Sequence, residues 1–298
     1  MGLALVILYF LLQGFYMRII LKTLNYKIPL RKGLFYSIIE FYFSGITPSS
    51  TGGQPVQLYY MTKDNIPIRK SYITLMLNTI YFKLIIVILG IMVLIIDSSY
   101  VLGSAFIYRL FFVLGFVFDL LLVIIGFLLL FKTSFIKSIF IKFVSFFKKV
   151  KIFKHKLSKI DTDEVIEKYK DEIEYIKSHK KTVFFTFIIT FIQRLLMFSV
   201  IYVVYRALGY NTYSYLQLLI IQISVQVAIE VLPLPGGAGL SEGMLHNIFV
   251  TIFTIELADV GMLLTRAFTF YVPLVICGLI ILSEFIIRKT KTLKEKHD

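Results

Sequence analysis

The chain has 298 residues, 58% of them hydrophobic, and a mean hydropathy of +0.82. A soluble domain of this length cannot hide that fraction of apolar surface from water, so the composition excludes an ordinary soluble globular protein. The formal net charge is +14, which in a soluble protein would suggest nucleic acid. Here the cations lie between apolar runs, as in the cytoplasmic loops of membrane proteins, and we expect no nucleic-acid partner.

Long uncharged runs predict membrane-spanning helices, starting at the N-terminus. Residues 84–96 and 110–131 carry a single charge between them, Asp119. A spanning helix needs about 20 apolar residues, and these runs lack the alternation of a membrane β-strand. The apolar run at the N-terminus, residues 2–21, has no basic start and no small-residue cleavage site, so we interpret it as a retained span. The predicted full spans of this all-α, polytopic integral membrane protein are 2–21, 71–96, 105–131, 182–208 and 259–287.

Two further apolar stretches are interrupted by Pro and Gly. Residues 33–62 contain ITPSSTGGQP, and residues 213–256 contain VLPLPGGAGLSEG. Each predicts two short helices joined by a break. Non-helical backbone at membrane depth persists only where protein or a water-filled cavity covers it. Alternatively, either stretch forms two complete spans with its turn at the far surface.

Charge predicts the orientation of these segments, because cytoplasmic loops are enriched in Lys and Arg. Residues 132–181 contain 14 Lys and 7 acidic residues, whereas residues 97–104 have no cation. The segments predicted to be cytoplasmic are 22–32, 63–70, 132–181 and the tail from Arg288. The segments predicted to lie outside are 97–104, 209–212 and 256–259.

This orientation makes each broken segment re-entrant, entering and leaving from one face, with the two segments on opposite faces. Such an arrangement is typical of inverted repeats whose broken helices meet near the midplane. We predict one membrane domain, 1–298, with a first repeat at 1–131 and a second at 182–298.

The loop 132–181 connects the two repeats. Its first half interleaves Lys with Phe and Ile, which favours an amphipathic helix on an anionic lipid leaflet. Its second half predicts a charged helix, and a solvated connector is the alternative for both halves.

The second break is the strongest candidate for a binding site. Gly236, Gly237 and Gly239 allow a tight turn, and the following helix is predicted to begin near Leu240. The amide groups and positive dipole end of that helix would favour an anion such as a phosphate. A plain interhelical turn is the alternative. The first break adds groups that can hydrogen-bond a lipid head group, namely Gly52, Gly53, Gln54 and Gln57.

Ionisable residues inside spans are expensive in lipid and are therefore candidates for function. The alternative is structural pairing, as between Glu40 and a neighbouring Arg. Glu242 could hold a cationic part of a head group or pair with Arg266. We expect a substrate-binding role for Lys83, Arg194, Glu230, Glu242 and Arg266. Asp119 and Glu284 are the further ionisable residues inside spans.

The sequence lacks the patterns of an enzyme or a metal site. Cys277 is the only cysteine, and the four His residues are scattered. No nucleotide-binding or nucleophile-elbow motif is present. We therefore predict no catalytic residues, no metal and no cofactor, and any transport would be passive or ion-coupled.

The breaks PLPGGAGLSEG and TPSSTGGQPVQLYYM, with the helices around them, resemble the lysylphosphatidylglycerol synthase transmembrane family. This is the flippase-like domain also found at the N-terminus of the bacterial multiple peptide resistance factor. The likeness covers nearly the whole chain, and its most specific element is Pro-Gly-Gly-x-Gly-x-x-Glu, here Pro235 to Glu242. The first motif departs from the family, whose members often have Pro-Gly-x-x-Gly-Glu where this chain has Ser-Thr-Gly-Gly-Gln-Pro.

The resemblance implies translocation of a phospholipid between leaflets of the bacterial cytoplasmic membrane. In resistance-factor members the lipid is aminoacylated phosphatidylglycerol, made by a fused soluble synthetase domain. The sequence ends eleven residues after Ile287, so we expect this chain to transport lipid without that chemistry. The expected partners are the phospholipid substrate, an anionic leaflet, and either a second copy of the chain or a separate synthetase. The alternatives are a transporter of another amphipathic anion, such as a polyprenyl-phosphate-linked sugar, or a lipid-modifying membrane enzyme.

Overall fold

The computed structural model describes residues 1–96, 106–131, 162–231 and 234–294. Helices dominate these ranges and no strand occurs in them, which confirms the all-α prediction. In chain order the helices are α1 (Gly2–Thr23), α2 (Leu30–Ile46), α3 (Gly53–Lys63), α4 (Ile68–Ile96), α5 (Phe106–Phe131), α6 (Thr162–Ser178), α7 (Lys180–Phe198), α8 (Val200–Ala207), α9 (Tyr215–Ile229), α10 (Leu240–Ile252), α11 (Ile255–Arg266) and α12 (Val272–Lys294).

Five helical stretches in the described residues are long and apolar enough to cross a bilayer, and all five coincide with predicted spans. Helices α7 and α8 together make one of them, and α11 with α12 make another. The shortest has 22 residues, which exceeds the roughly 20 that the hydrocarbon core requires. They are Gly2–Thr23, Ile68–Ile96, Phe106–Phe131, Lys180–Ala207 and Leu257–Thr290.

The first broken segment forms a helical hairpin whose two ends lie together. Helices α2 and α3 have 17 and 11 residues and are joined by a 3-10 turn at Pro48–Ser50. Asp64, just after α3, accepts a hydrogen bond of 2.7 Å from Tyr36 and lies 3.5 Å from the Lys32 ammonium near the start of α2. The chain therefore enters and leaves this hairpin at the same end, as expected of a re-entrant segment.

The second broken segment forms a hairpin from the other end of the molecule. Helix α9 has 15 residues and starts with a capping box in which Ser214 and Gln217 satisfy each other's backbone N–H groups. Helix α10 has 13 residues. The two outer ends of the hairpin meet where the Tyr210 hydroxyl donates a 3.4 Å hydrogen bond to Thr254. This segment is therefore also re-entrant.

The 3-10 turns at the two breaks contact each other, so the hairpins meet tip to tip. In chain order the first hairpin lies between α1 and α4, and the second between α8 and α11. In space α9 packs against α4 and α5, and α2 packs against α12, so the two halves of the chain interlock. Because the tips meet while the outer ends lie apart, the two hairpins point in opposite directions. The division into two repeats stays a prediction. The opposed broken helices predicted from charge are thus present in the structure.

Three segments predicted to share the cytoplasmic face lie at one end of the molecule. Lys70 donates a 2.5 Å hydrogen bond to the Leu24 carbonyl, and Arg288 lies 2.9 Å from Asp64. Burial alone would raise the pKa of Asp64, but hydrogen bonds from Arg288 and Tyr36 outweigh it and hold that pKa below its usual range.

The loop segments 97–104 and 132–161, including the predicted amphipathic helix, lie outside the described residues. The predicted charged helix is present as α6, with Lys170 and Glu174 paired at 3.8 Å one turn apart. Its apolar face is not solvated. Tyr169 and Ile173 are buried, and the Tyr169 hydroxyl lies 3.1 Å from the Met76 sulfur of α4.

Candidate functional site

The second break turns on three glycines in the left-handed region. Gly236, Gly237 and Gly239 have φ of 58°, 67° and 86°, a conformation that costs other residues about 1–2 kcal/mol. A Cβ on Gly236 would overlap the ring of Phe270. The turn therefore requires glycine for two separate reasons, backbone conformation and close approach of a neighbouring ring.

Glu242 and Arg266 form an ion pair across this break. Arg266 Nε lies 2.7 Å from Glu242 Oε1, and its NH2 group donates a 3.1 Å hydrogen bond to the carbonyl of Gly236. Helix α10 begins at Leu240, as predicted. However, Glu242 Oε2 accepts a 2.6 Å hydrogen bond from the N–H of Gly239. The carboxylate of Glu242 thus occupies the helix N-terminus where we predicted a bound anion.

A π-helical turn, Ala267–Tyr271, follows Arg266 and places two further side chains against the Glu242–Arg266 ion pair. Single π-helical turns are frequent at functional sites. The Tyr271 hydroxyl donates a 2.8 Å hydrogen bond to Glu242, and the Arg266 guanidinium lies 4.6 Å from the centre of the Phe270 ring. Arg266 is 7% exposed. The break therefore holds a buried cation whose carboxylate partner is tied down by several donors.

A second charged cluster lies between α4, α5 and α9. Lys83 Nζ is 2.7 Å from Asp119 Oδ1 and 2.5 Å from Glu230 Oε2. Gln226 donates a 2.5 Å hydrogen bond to the other oxygen of Glu230. Glu230 immediately follows α9 and so connects this cluster to the second break. We refer to Lys83, Asp119 and Glu230 as the buried triad.

Arg194 lies in a third cluster, between α1, α2, α4 and α7. Its guanidinium is 4.1 Å from the centre of the Phe82 ring and 3.4 Å from the Tyr9 hydroxyl. Glu40 is within electrostatic reach of Arg194 and accepts a 3.2 Å hydrogen bond from Gln13. None of these contacts joins Arg194 to the second break, and its role in substrate binding stays a prediction.

The predicted residues of the first break make contacts within their own hairpin and with α4. A Cβ on Gly53 would overlap Ser44, so this glycine allows α3 to lie against α2. Gln54 donates a hydrogen bond to Thr79 on α4. Gln57 is fully buried and donates a 3.1 Å hydrogen bond to the Tyr36 carbonyl. Gly52 donates its N–H to the Thr47 hydroxyl at 2.9 Å.

The structure divides the predicted site residues among separate clusters. It brings Gly236, Gly239, Glu242 and Arg266 together, and Lys83 with Glu230. Sequence inspection missed Tyr271 and Phe270, for which no sequence signal exists beyond proximity to Arg266. Asp119 joins Lys83 and Glu230, and its position as the lone charge of an apolar run is a sequence signal for such a role. In the ranges that the structure describes, no group of three or more His, Cys, Asp or Glu side chains could hold a metal ion.

Within the described residues, five helical stretches able to cross a bilayer, two opposed hairpins and buried ion pairs define a multi-pass α-helical membrane protein with a broken-helix centre. The family model described as the lysylphosphatidylglycerol synthase TM region matches residues 1–277. The chain therefore belongs to that family, as its motifs indicated. No curated protein and no solved structure matches it.

Proposed function

We propose that this protein translocates a phospholipid, anionic or aminoacylated phosphatidylglycerol, between the leaflets of the bacterial cytoplasmic membrane. The observation that carries the proposal is the tip-to-tip contact of the two hairpins beside the buried Arg266–Glu242 pair. Broken helices meeting in this way supply polar backbone and a cation at a depth where lipid supplies neither.

Arg266 is the group proposed to receive the lipid phosphate. Guanidinium and phosphate match in charge and in hydrogen-bond geometry. In this structure Glu242 and the Gly236 carbonyl occupy its donors. An arriving phosphate would replace Glu242 on Arg266, while Gly239, Ser241 and Tyr271 continue to satisfy the released carboxylate. The exchange keeps both charges paired or hydrogen-bonded, which lowers its cost in an apolar environment.

We also propose that the chain transports lipid and performs no lysyl transfer, a separate synthetase making the aminoacylated lipid. The proposal predicts that incubating the protein with lipid leaves the lipid composition unchanged. A new aminoacylated product in lipid extracts of the purified protein, supplied with lysyl donors, would contradict it.

The test is leaflet exchange in liposomes. Purified protein would be reconstituted with fluorescent phosphatidylglycerol, lysyl-phosphatidylglycerol or a zwitterionic lipid, and exchange read out by an impermeant quencher. We expect exchange of the first two to exceed that of the zwitterionic lipid. Equal exchange of all three, or none above protein-free liposomes, would refute the proposal.

Two valine variants locate the site. Gly237 has φ of 67° and lies against Ile229, whereas Gly209 has φ of 88° and has nothing within 4 Å of its Cβ position. Gly237→Val should therefore abolish exchange while the protein stays monodisperse in detergent. Gly209→Val, which introduces the same side chain at a similar φ far from the break, should exchange lipid normally. Normal exchange by Gly237→Val would show that this break is only a turn.

A further inference from the structure

The buried triad carries one more negative charge than positive. When Asp119, Glu230 and Lys83 are all ionised, the net charge is −1. The Asp119 side chain is fully buried, and its Oδ2 has no hydrogen-bond partner among the described residues. An uncompensated carboxylate charge in such surroundings is very costly, and the usual remedy is to bind a proton.

Other charged and titratable groups on the neighbouring elements lie beyond ion-pair distance of the two triad carboxylates. Arg194 of α7 lies between Phe82 and Tyr9, and Glu40 of α2 is near that arginine. His246 of α10 pairs with Asp259 at 2.7 Å. Arg109 precedes Asp119 by ten residues on α5, about 15 Å along the helix. In the part of the chain that the structure describes, Lys83 is the only cation within ion-pair distance of either triad carboxylate.

We propose that the buried triad binds one exchangeable proton and couples its movement to lipid translocation. The proton adds to a carboxylate oxygen, with Asp119 Oδ2 the free position, and forms an O–H bond. Lys83 remains an ammonium and keeps both of its contacts. The net charge of the triad changes from −1 to zero, and on release the proton returns to water. A metal cation is disfavoured because Lys83 Nζ already lies between the two carboxylates.

The coupling rests on the proposed function and follows from electrostatics. Glu230 connects the triad to the second break, where the lipid phosphate is proposed to bind. A triad with charge −1 repels the monoanionic phosphate of phosphatidylglycerol, whereas a neutral triad does not. Proton and anionic lipid therefore load together and leave together, and the pair moves without net charge. At equilibrium the lipid would be enriched roughly tenfold per unit of pH difference in the leaflet that faces the alkaline side.

The proton site can be tested without transport. Infrared difference spectra of the full-length protein in liposomes would be recorded across a pH titration. We expect a carboxylic-acid C=O band that titrates in the wild type. The band should be lost in Asp119→Asn and in Glu230→Gln, because each variant leaves Lys83 paired with a single carboxylate. Glu174→Gln, which removes an exposed carboxylate on α6, should retain it. A wild type without this band, or either triad variant with it, would overturn the proposal.

The coupling is tested with an imposed pH gradient. Labelled phosphatidylglycerol should accumulate in the leaflet facing the alkaline side in the wild type, and Asp119→Asn should show no pH-driven asymmetry. An even distribution in the wild type, or accumulation driven by a sodium gradient instead, would overturn proton coupling. If the wild type exchanges no lipid under any condition, the proposed function fails and coupling fails with it. The infrared band would then still decide whether the proton site exists.

Discussion

Gly115 of α5 lies directly against the backbone carbonyl of Val227 on α9, with no room for a Cβ between them. Asp119 follows Gly115 by four residues, about one helical turn, and Glu230 follows Val227 by three. The close approach of the two backbones therefore sets the distance at which the two carboxylates can share Lys83. Small residues serve this purpose widely in membrane helix packing.

Gly115→Leu should separate α5 from α9 and destabilise the protein by about 1–3 kcal/mol, the usual cost of overpacking. Thermal unfolding in detergent would measure the change. Gly243→Leu is the matched control, since nothing lies within 4 Å of a Cβ at Gly243. Similar midpoints for both variants would show that the α5–α9 contact is unimportant.

Loss of the Arg266 guanidinium should impair transport more than loss of an exposed one. Arg266→Gln removes the proposed phosphate ligand and leaves Glu242 without its cation, and we expect exchange to fall about tenfold or more. Arg206→Gln, at the exposed end of α8, should have little effect. Arg266→Lys should be intermediate, because an ammonium cannot make the same forked contacts. The measurement is leaflet exchange at equal protein amounts, and equal rates for Arg266→Gln and Arg206→Gln would refute the role.

Acid should remove the stabilising effect of Asp64. The pKa of Asp64 is lower in the folded protein than its usual value, so its ionised form stabilises the fold. This stabilisation is complete above the unfolded pKa of about 4 and is lost as pH falls through the lower folded pKa. Asp64→Asn should thus be less stable than wild type at pH 7, by on the order of 1–2 kcal/mol, and the difference should shrink below about pH 4. A difference independent of pH would contradict the assignment.

Which face is cytoplasmic remains a prediction, and two exposed carboxylates at opposite ends can decide it. In a Cys277→Ala background, Glu174→Cys on α6 should be protected from impermeant thiol reagents in intact cells. Asp259→Cys on α11 should be labelled. Labelling of position 174 from outside would reverse the orientation.

The helical class, the five spans and the two re-entrant hairpins could be predicted from the sequence. Apolar run length and clustered Pro and Gly report locally on how each segment folds, and the structure agrees with them. The start of α10 at Leu240 was predictable for the same reason, because glycine before an apolar run marks a helix boundary.

The partners of the charged residues could not be predicted, because helix rotation and approach decide them. Lys83 meets Asp119 and Glu230, which lie 36 and 147 residues away, only because Gly115 lets α5 and α9 close up. Arg194 contacts Tyr9 of α1 and Phe82 of α4. Glu242 caps its own helix while it pairs with Arg266. Sequence determined which groups must be paired in lipid. The tertiary structure alone decided which partner each group has, and it places two carboxylates, Asp119 and Glu230, on the single cation of Lys83.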